Sequence, residues 1–319
     1  MAVVAVTGAD GFIGVHLCAF FESRGLRTIR VVRRNDGRGE CRRVVPDVTS
    51  EGHLAIALEG VDVVVHLAAR AHILRERRDA DSSSAFQKIN VDGTKALCMA
   101  AHRAGVRRIV FLSSIGVNGA RTDGKPFDEQ DPPRPVEPYA VSKWQAEQLL
   151  QAKARELDLE VVIVRPPLVY GPEVKGNFLR LLNLAASGVP LPLASITNRR
   201  NLIGVQNLCD LLRLCVESAS AAGQLFLAAE QEAHSTPEII RALCRGLGRP
   251  CRLFAVPEAL VRGAARVMGV GSQFEKLCGS LEICPDKAYR DLGWRPRVSF
   301  DEEIGRTAEW YLRNRRAFA

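Results

Sequence analysis

The sequence predicts a doubly wound parallel α/β sheet followed by a smaller α/β lobe. Three observations carry this. Short, valine-rich apolar runs alternate with amphipathic stretches from residue 2 to residue 165, the pattern of strands joined by crossover helices. The first run opens straight into a glycine-punctuated turn and then a helix-like segment. After Pro166 the alternation loosens into leucine-spaced helices and proline-rich loops. The expected organisation is a sheet domain over residues 1–165 and a second lobe over 166–319, some of whose segments return to the sheet.

Composition narrows the classes. A chain of 319 residues, 47% apolar and 25% charged, suits a soluble globular protein with room for a large core. The formal charge of +8 gives mild attraction for anions. There is no lysine-rich tail or basic-aromatic array, so no nucleic-acid partner is expected. Nine cysteines are dispersed without a Cys-x-x-Cys pair, which reads as buried reduced thiols such as Cys18, Cys98, Cys209 and Cys215, with no metal site. No apolar run approaches the ~20 residues that cross a bilayer. The N-terminus enters a strand-like run at once, so neither a signal peptide nor a membrane partner is expected, and the cytoplasm is the expected location.

The elements follow in order. Ala2 to Val6 is a buried strand by its valine content. It leads into Gly8-Ala9-Asp10-Gly11-Phe12-Ile13-Gly14 and an amphipathic helix to about Ser23. Strand, glycine turn, helix brings backbone N–H groups and a helix N-terminus against a pyrophosphate, and a Cβ at these glycines would hold the phosphates away. The competing reading is a tight turn that only packs helix on sheet. The second strand, Thr28 to Val32, ends in Arg33-Arg34. An acid there accepts from a ribose 2′-hydroxyl, whereas arginine suits a 2′-phosphate, so NADP is the expected cofactor, with NAD as the alternative. A third strand spans Cys41 to Val45 and precedes Pro46-Asp47-Val48; a helix covers Leu54 to Leu58. Val61 to Leu67 is a continuous apolar strand ending in His66-Leu67-Ala68-Ala69, whose small residues let a cofactor approach. His66 reads as a structural strand-end residue. Arg75 to Ser84 reads as a polar loop and Ala85 to Ala104 as a long helix. The strand Arg107 to Leu112 delivers Ser113-Ser114 at its carboxyl end, where ligands of such sheets gather; turn capping is the alternative job. Asp123 to Pro138 is an ordered loop, the next helix runs from Tyr139 to about Leu157, and Glu160 to Val164 is a sixth strand before Arg165-Pro166-Pro167.

In the second lobe, Val169-Tyr170-Gly171-Pro172 reads as a turn and Asn177 to Ala186 as a helix. Further helices are expected near 207–219, 236–246, 257–268 and 300–315, with strands near 202–205, 224–228 and 251–254.

The chemistry centres on Tyr139 and Lys143. Four residues apart on a helix, they share a face. An ammonium beside a phenol favours the phenolate, and a tyrosine so tuned can pass a proton near neutral pH.

These pieces, in this order, resemble the extended short-chain dehydrogenase/reductases, the NAD-dependent epimerase/dehydratase family, in its nucleotide-sugar 4-reductase/4-epimerase branch. The matching stretches are Thr7 to Gly14, His66-Leu67-Ala68-Ala69, Asn90-Val91-Asp92-Gly93-Thr94, Ser113-Ser114, Pro138 to Lys143, Arg165-Pro166-Pro167 and Leu292-Gly293-Trp294-Arg295-Pro296. The resemblance implies a Rossmann-like sheet with a sugar-nucleotide lobe. It implies Tyr139 as general acid/base, Lys143 as its partner that also holds the nicotinamide ribose, and Ser114, twenty-five positions before Tyr139, as the serine that orients the sugar oxygen. It implies Gly8, Gly11, Phe12, Ile13, Gly14, Leu67, Ala68, Ala69 and Pro166 at the cofactor, with Asp47 and Val48 at the adenine. Arg200 and Asn177 are implied at the substrate diphosphate or sugar. A UDP-sugar partner and a homodimer packed through the 85–104 and 139–157 helices follow from the same resemblance.

Two departures matter. A second diphosphate arginine has no match in Lys276 to Pro285, and Arg33-Arg34 replace the usual acid. The second departure favours reduction of a UDP-4-keto-6-deoxy-hexosamine for surface-polysaccharide precursors over UDP-hexose (UDP-glucose or UDP-GlcNAc) 4-epimerisation. A dehydratase usually has an acidic pair beside the serine, where this chain has Ile115 and Gly116. A non-catalytic NADP-binding regulatory protein is the reading of another class, and the presence of both Tyr139 and Lys143 opposes it.

Overall fold

The computed structural model describes residues 2–34, 41–71 and 80–314. Its main sheet has seven strands, all paired in parallel, in the order β3-β2-β1-β4-β5-β6-β9. The strands are β1 (Val3–Thr7), β2 (Arg27–Val32), β3 (Arg42–Val44), β4 (Val63–His66), β5 (Arg108–Leu112), β6 (Glu160–Arg165) and β9 (Leu225–Leu227). The order reverses between β1 and β4, and such a reversal opens a crevice at the strands' carboxyl ends.

Side-chain alternation along the strands feeds two cores. Val4, Val6, Val63, Val65, Val110 and Val162 meet α1 (Phe12–Ser23) and α7 (Val205–Glu217) on one face. Ala5, Val64, Ile109, Phe111 and Val161 meet α2 (Glu51–Ala57), α4 (Gly93–Arg103) and α5 (Pro138–Leu157) on the other. Both α7 and β9 come from beyond residue 166, so the C-terminal part of the chain completes the sheet. A buried guanidinium fixes that return: Arg108 on β5 donates to the carbonyls of Cys215, Val216 and Ser218 at the end of α7, and to Glu160 at 2.6 Å. A cation at a helix C-terminus satisfies its last carbonyls and its dipole.

The second lobe surrounds a three-stranded sheet, β10-β8-β7. It contains β7 (Leu168–Tyr170), β8 (Arg200–Gly204) and β10 (Ala233–His234), with α6 (Gly176–Ser187), α8 (Thr236–Gly246), α9 (Glu258–Val267), α10 (Gly271–Cys278) and α12 (Phe300–Asn314), whereas α11 (Asp286–Asp291) packs Ala288 and Tyr289 into the core of the main sheet. A capping box, Ser235 with Glu238, starts α8.

Several sequence expectations shift. Residues 168–170 form a strand because Leu168, Val169 and Tyr170 pair with Leu202, Ile203 and Gly204 of β8. Residues 251–254 make only an isolated bridge, Leu191 to Leu253, because no neighbouring strand continues it. Residues 75–79 of the polar stretch at 75–84 lie outside the described residues. Helix begins at Ala80 rather than Ala85, as α3 (Ala80–Phe86), and passes through a π-helical turn, Gln87–Asp92, before α4. That turn carries Asn90, and π turns often sit at functional sites.

Candidate active site

The turn after β1 is a cradle that only glycine fits. Gly8 has φ +68°, and a Cβ there would lie 2.9 Å from the Cα and N of Ala68. At Gly14 it would lie 2.2 Å from the Gly8 carbonyl oxygen. Helix α1 therefore starts hard against the turn, at an N-cap, Gly11, that offers no side chain. Its first N–H groups have no side-chain cap, and uncapped N–H groups at a helix start can receive a phosphate.

His66 braces the crevice from β4. Thr94 Oγ1 donates to the Asn90 carbonyl at 2.6 Å, so it accepts from His66 Nε2 at 3.1 Å. Thr7 Oγ1 accepts from the Ala68 amide and donates to His66 Nδ1 at 2.7 Å. The network assigns the Nε2–H tautomer. Burial, with the nearby Lys143 charge, pulls the His66 pKa down to about 3, so the ring is neutral and structural. Leu67, Ala68 and Ala69 follow it along the crevice. Arg33 and Arg34 are exposed after β2, and among the described residues neither makes an ion pair. Asp47 closes a turn by accepting from Thr49 N and Oγ1, which holds its carboxyl below the usual range. Val48 packs on Gly93, where a Cβ would come within 3.0 Å of its Cγ1.

Helix α5 brings the reactive groups. Ser142 donates to the Tyr139 carbonyl at 2.7 Å and accepts from Asn90 Nδ2 at 2.9 Å; Asn90 also accepts from the Arg70 amide. The helix start is thus tied to the chain beyond β4. Tyr139 is half-buried, its ring 6.1 Å from that of Phe86, and its phenol has no hydrogen bond among the described residues. Lys143 is 2% exposed, with Nζ 4.1 Å from the Phe111 ring centroid and no hydrogen bond or ion pair among the described residues. Burial pulls its pKa down to about 7, against the pull of Glu147 one turn on. Burial pushes Tyr139 up to about 12, which corrects the expectation that Lys143 lowers it. The ammonium lies over Phe111, and desolvation of the phenol dominates.

Ser114 accepts from the Gly116 amide at 3.1 Å, capping the short turn Ile115–Val117. A Cβ at Gly116 would lie 3.2 Å from Ala140 Cβ and 3.4 Å from Ser114 Oγ, so this turn packs against the start of α5 beside Tyr139. Ser113 is buried and its hydroxyl has no partner among the described residues. Pro166 accepts from the Ile115 amide at 2.9 Å and closes the same corner.

Sequence reasoning missed the support beneath α5. Arg165 donates to both oxygens of Glu147, at 2.9 and 2.5 Å, and to Asn118 Oδ1 at 2.8 Å, all three side chains being buried. A charge ending an apolar strand, and an acid four residues after Lys143, were the available signals, since arginine and glutamate are rarely buried unless paired. A second buried group was also missed. Glu230 accepts from the Gly204 amide, Asn207 and the Tyr170 hydroxyl, while Glu303, fully buried nearby, is pushed up to about 7 by desolvation.

The second lobe contributes Arg200 and Asn177. Arg200 is half-buried at the start of β8 and donates to the Gly279 carbonyl at 2.6 Å, with no carboxylate partner among the described residues. Asn177 is exposed in the first turn of α6. In place of the expected second arginine, the 280–284 segment stitches to the loop before α5, through Thr122 N to Ser280 O and Phe127 N to Glu282 O. Among the described residues, no group of three or more His, Cys, Asp or Glu could hold a metal.

A parallel sheet with a glycine cradle at its switch point, and a phenol, an ammonium and a hydroxyl at its rim, defines a dinucleotide-binding α/β protein. The chain belongs to the NAD-dependent epimerase/dehydratase family, whose model matches residues 4–228, and it is an enzyme of the extended short-chain dehydrogenase/reductase type. It is 34% identical to a Vibrio cholerae UDP-glucose 4-epimerase, over 97% of this chain and 95% of that protein. Among solved structures, Streptomyces venezuelae DesIV, a dTDP-glucose 4,6-dehydratase with NAD and TYD bound, superposes with a TM-score of 0.79 at 27% identity, covering 99% of this chain and 98% of that one. MoeE5 in complex with UDP-glucose and NAD gives 0.78 at 27% identity, with full coverage of both chains.

Proposed function

We propose that this enzyme reduces the C4 carbonyl of a UDP-4-keto-6-deoxy-hexosamine with NADPH, in the synthesis of surface-polysaccharide precursors. The carrying observation is the exposed Arg33-Arg34 pair at the carboxyl end of β2, unpaired among the described residues, where an NAD site has an acid. Two guanidiniums there suit a 2′-phosphate, and a consumed NADPH suits a net reduction.

The residues fit the cofactor: the glycine cradle leaves room for a pyrophosphate, and Lys143 is a buried cation without a hydrogen-bond acceptor among the described residues. When bound, the nicotinamide supplies the hydride. Tyr139 donates its proton to the C4 oxygen, and its raised pKa keeps it protonated until that oxygen becomes basic. Ser114 turns its hydroxyl from the Gly116 amide to orient the same oxygen. Lys143 holds the ribose and stabilises the phenolate left on Tyr139. Arg200 and Asn177 take the substrate diphosphate or sugar. In this reading residues 1–165 carry the cofactor and 166–319 the sugar nucleotide, in a cytoplasmic homodimer packed through α3–α4 and α5.

UDP-hexose 4-epimerisation is the second reading, supported by the likeness to the V. cholerae protein and by NAD in the solved relatives. An epimerase regenerates its cofactor. Purified protein is offered the 4-keto sugar with NADPH, and separately UDP-glucose or UDP-GlcNAc with NAD. Stoichiometric loss of NADPH with formation of a 4-hydroxy sugar supports reduction; interconversion of the UDP-hexoses without net NADPH loss replaces it with epimerisation.

A further inference from the structure

We propose that α9 and its flanks dock this enzyme on an anionic lipid bilayer. The proposal goes beyond the reaction and does not depend on it.

Helix α9 carries two apolar faces. Val261 and Ala265 point into the core of the second lobe. Leu260, Ala264, Val267 and Met268, at i, i+4, i+7 and i+8, form a second stripe that faces solvent. Leu260 is 64% exposed, Val267 90% and Met268 69%. With Phe254 and Val270 they make five of the ten exposed large hydrophobic residues among the described residues, all within seventeen positions. Leu260, Ala264 and Met268 of the stripe themselves line a groove of about 520 Å³, together with Val256, Phe274 and Leu277. A stripe of this kind on an ordinary surface helix is polar, and contiguous exposed apolar surface marks an interaction site.

Charge selects the occupant. From Arg249 to Cys278 there are five cations, Arg249, Arg252, Arg262, Arg266 and Lys276, and two acids, Glu258 and Glu275, a balance of 5 − 2 = +3. Arg262 bridges both acids, at 2.5 Å from Glu258 and 3.6 Å from Glu275, and Lys276 pairs with Glu137 at 2.7 Å, so with Glu137 counted the patch carries 5 − 3 = +2. Arg249, Arg252 and Arg266 are exposed and make no ion pair among the described residues. A second copy seated symmetrically on this patch would set +2 against +2. An anionic bilayer offers what both halves need: negative headgroups for the arginines and an acyl boundary for the stripe. That pairing of a basic patch with a short apolar insertion gives reversible interfacial binding. The sequence expectation of no membrane partner rested on the lack of a span of ~20 residues. Among the described residues no helix is long and apolar enough to cross a membrane, and a ten-residue helix lying in the interface escapes that criterion.

The test is sedimentation of the full-length protein with phosphatidylcholine vesicles, with and without phosphatidylglycerol, at low and high salt. The expected result is binding to the anionic vesicles only, weakened by salt. Two surface variants, L260S/V267S/M268S and R249E/R252E/R266E, should each lower the partition coefficient about ten-fold or more, with unchanged thermal unfolding. Absence of binding to anionic vesicles, equal binding to neutral ones, or wild-type binding by either variant overturns the proposal. So does a sedimentation-velocity change from dimer to monomer in L260S/V267S/M268S, which would assign the stripe to a second copy.

Discussion

Replacing Lys143 with methionine should make the protein more stable and inactive. Lys143 is 2% exposed, and burial takes its pKa from 10.5 to about 7. Below pH 7 the native state holds a charged ammonium that the unfolded chain would hold in water. At 1.36 kcal/mol per pKa unit, the shift corresponds to about 5 kcal/mol of destabilisation. Contact with the Phe111 ring, at 4.1 Å, returns ~1 kcal/mol. Methionine has similar length, packs well against an aromatic ring and carries no charge. Lys143→Met should therefore gain about 4 kcal/mol at pH 6. Between pH 7 and 10.5 the native state binds fewer protons than the unfolded state, so wild-type stability rises with pH and the advantage of the variant shrinks. At pH 9 it should be about 2 kcal/mol. Urea unfolding followed by tryptophan fluorescence at the two pH values measures both figures. A variant no more stable than wild type at pH 6, or a gain that does not fall at pH 9, would refute the reading of Lys143 as an unsatisfied buried cation kept for function.

Three further outcomes follow from the geometry. Arg165→Met leaves Glu147 buried without its partner and should cost about 3–5 kcal/mol in the same unfolding assay; a cost near zero would mean the pair does not support α5. Gly14→Ala places a methyl 2.2 Å from the Gly8 oxygen and should abolish dinucleotide binding in a fluorescence titration, whereas wild-type affinity would remove the cradle from the cofactor site. Arg33→Ser combined with Arg34→Ser should raise the Kd for NADPH by about ten-fold or more and leave that for NADH unchanged; equal effects on both cofactors would contradict the 2′-phosphate contact.

Much of the sheet was legible because a strand buried on both faces needs a continuous apolar run. The valines of β1, β4 and β6 supply such runs, and the helix expected from Tyr139 begins one residue earlier, at Pro138, whose missing N–H is tolerated in a first turn. What the sequence hid was set by distant pairing. Val169-Tyr170-Gly171-Pro172 read as a turn because so short an apolar piece before Gly171-Pro172 carries no period, and only pairing with β8 makes 168–170 a strand. Leu225 to Leu227 gave no sign of joining β6 rather than the second lobe's own sheet. At the site, motif spacing identified Tyr139, Lys143 and Ser114 as candidates. Their electrostatics were not legible, because desolvation depends on Phe86 and Phe111 packing around them. The Glu147–Arg165 pair lies eighteen positions apart in sequence, on a helix and the strand that follows it, and local pattern cannot distinguish it from two solvated charges.

The central claim is that Tyr139 delivers the proton while hydride passes from the bound nicotinamide to a sugar carbon. Its most direct test is a single turnover with NADPH deuterated on the transferred position and the 4-keto sugar nucleotide, read by mass spectrometry and NMR of the product. The proposed reduction predicts deuterium at C4 with the wild-type enzyme, and a loss of transfer of about a hundred-fold or more in Tyr139→Phe with NADPH affinity unchanged. Undiminished transfer in Tyr139→Phe, or a product without deuterium at C4, would contradict it.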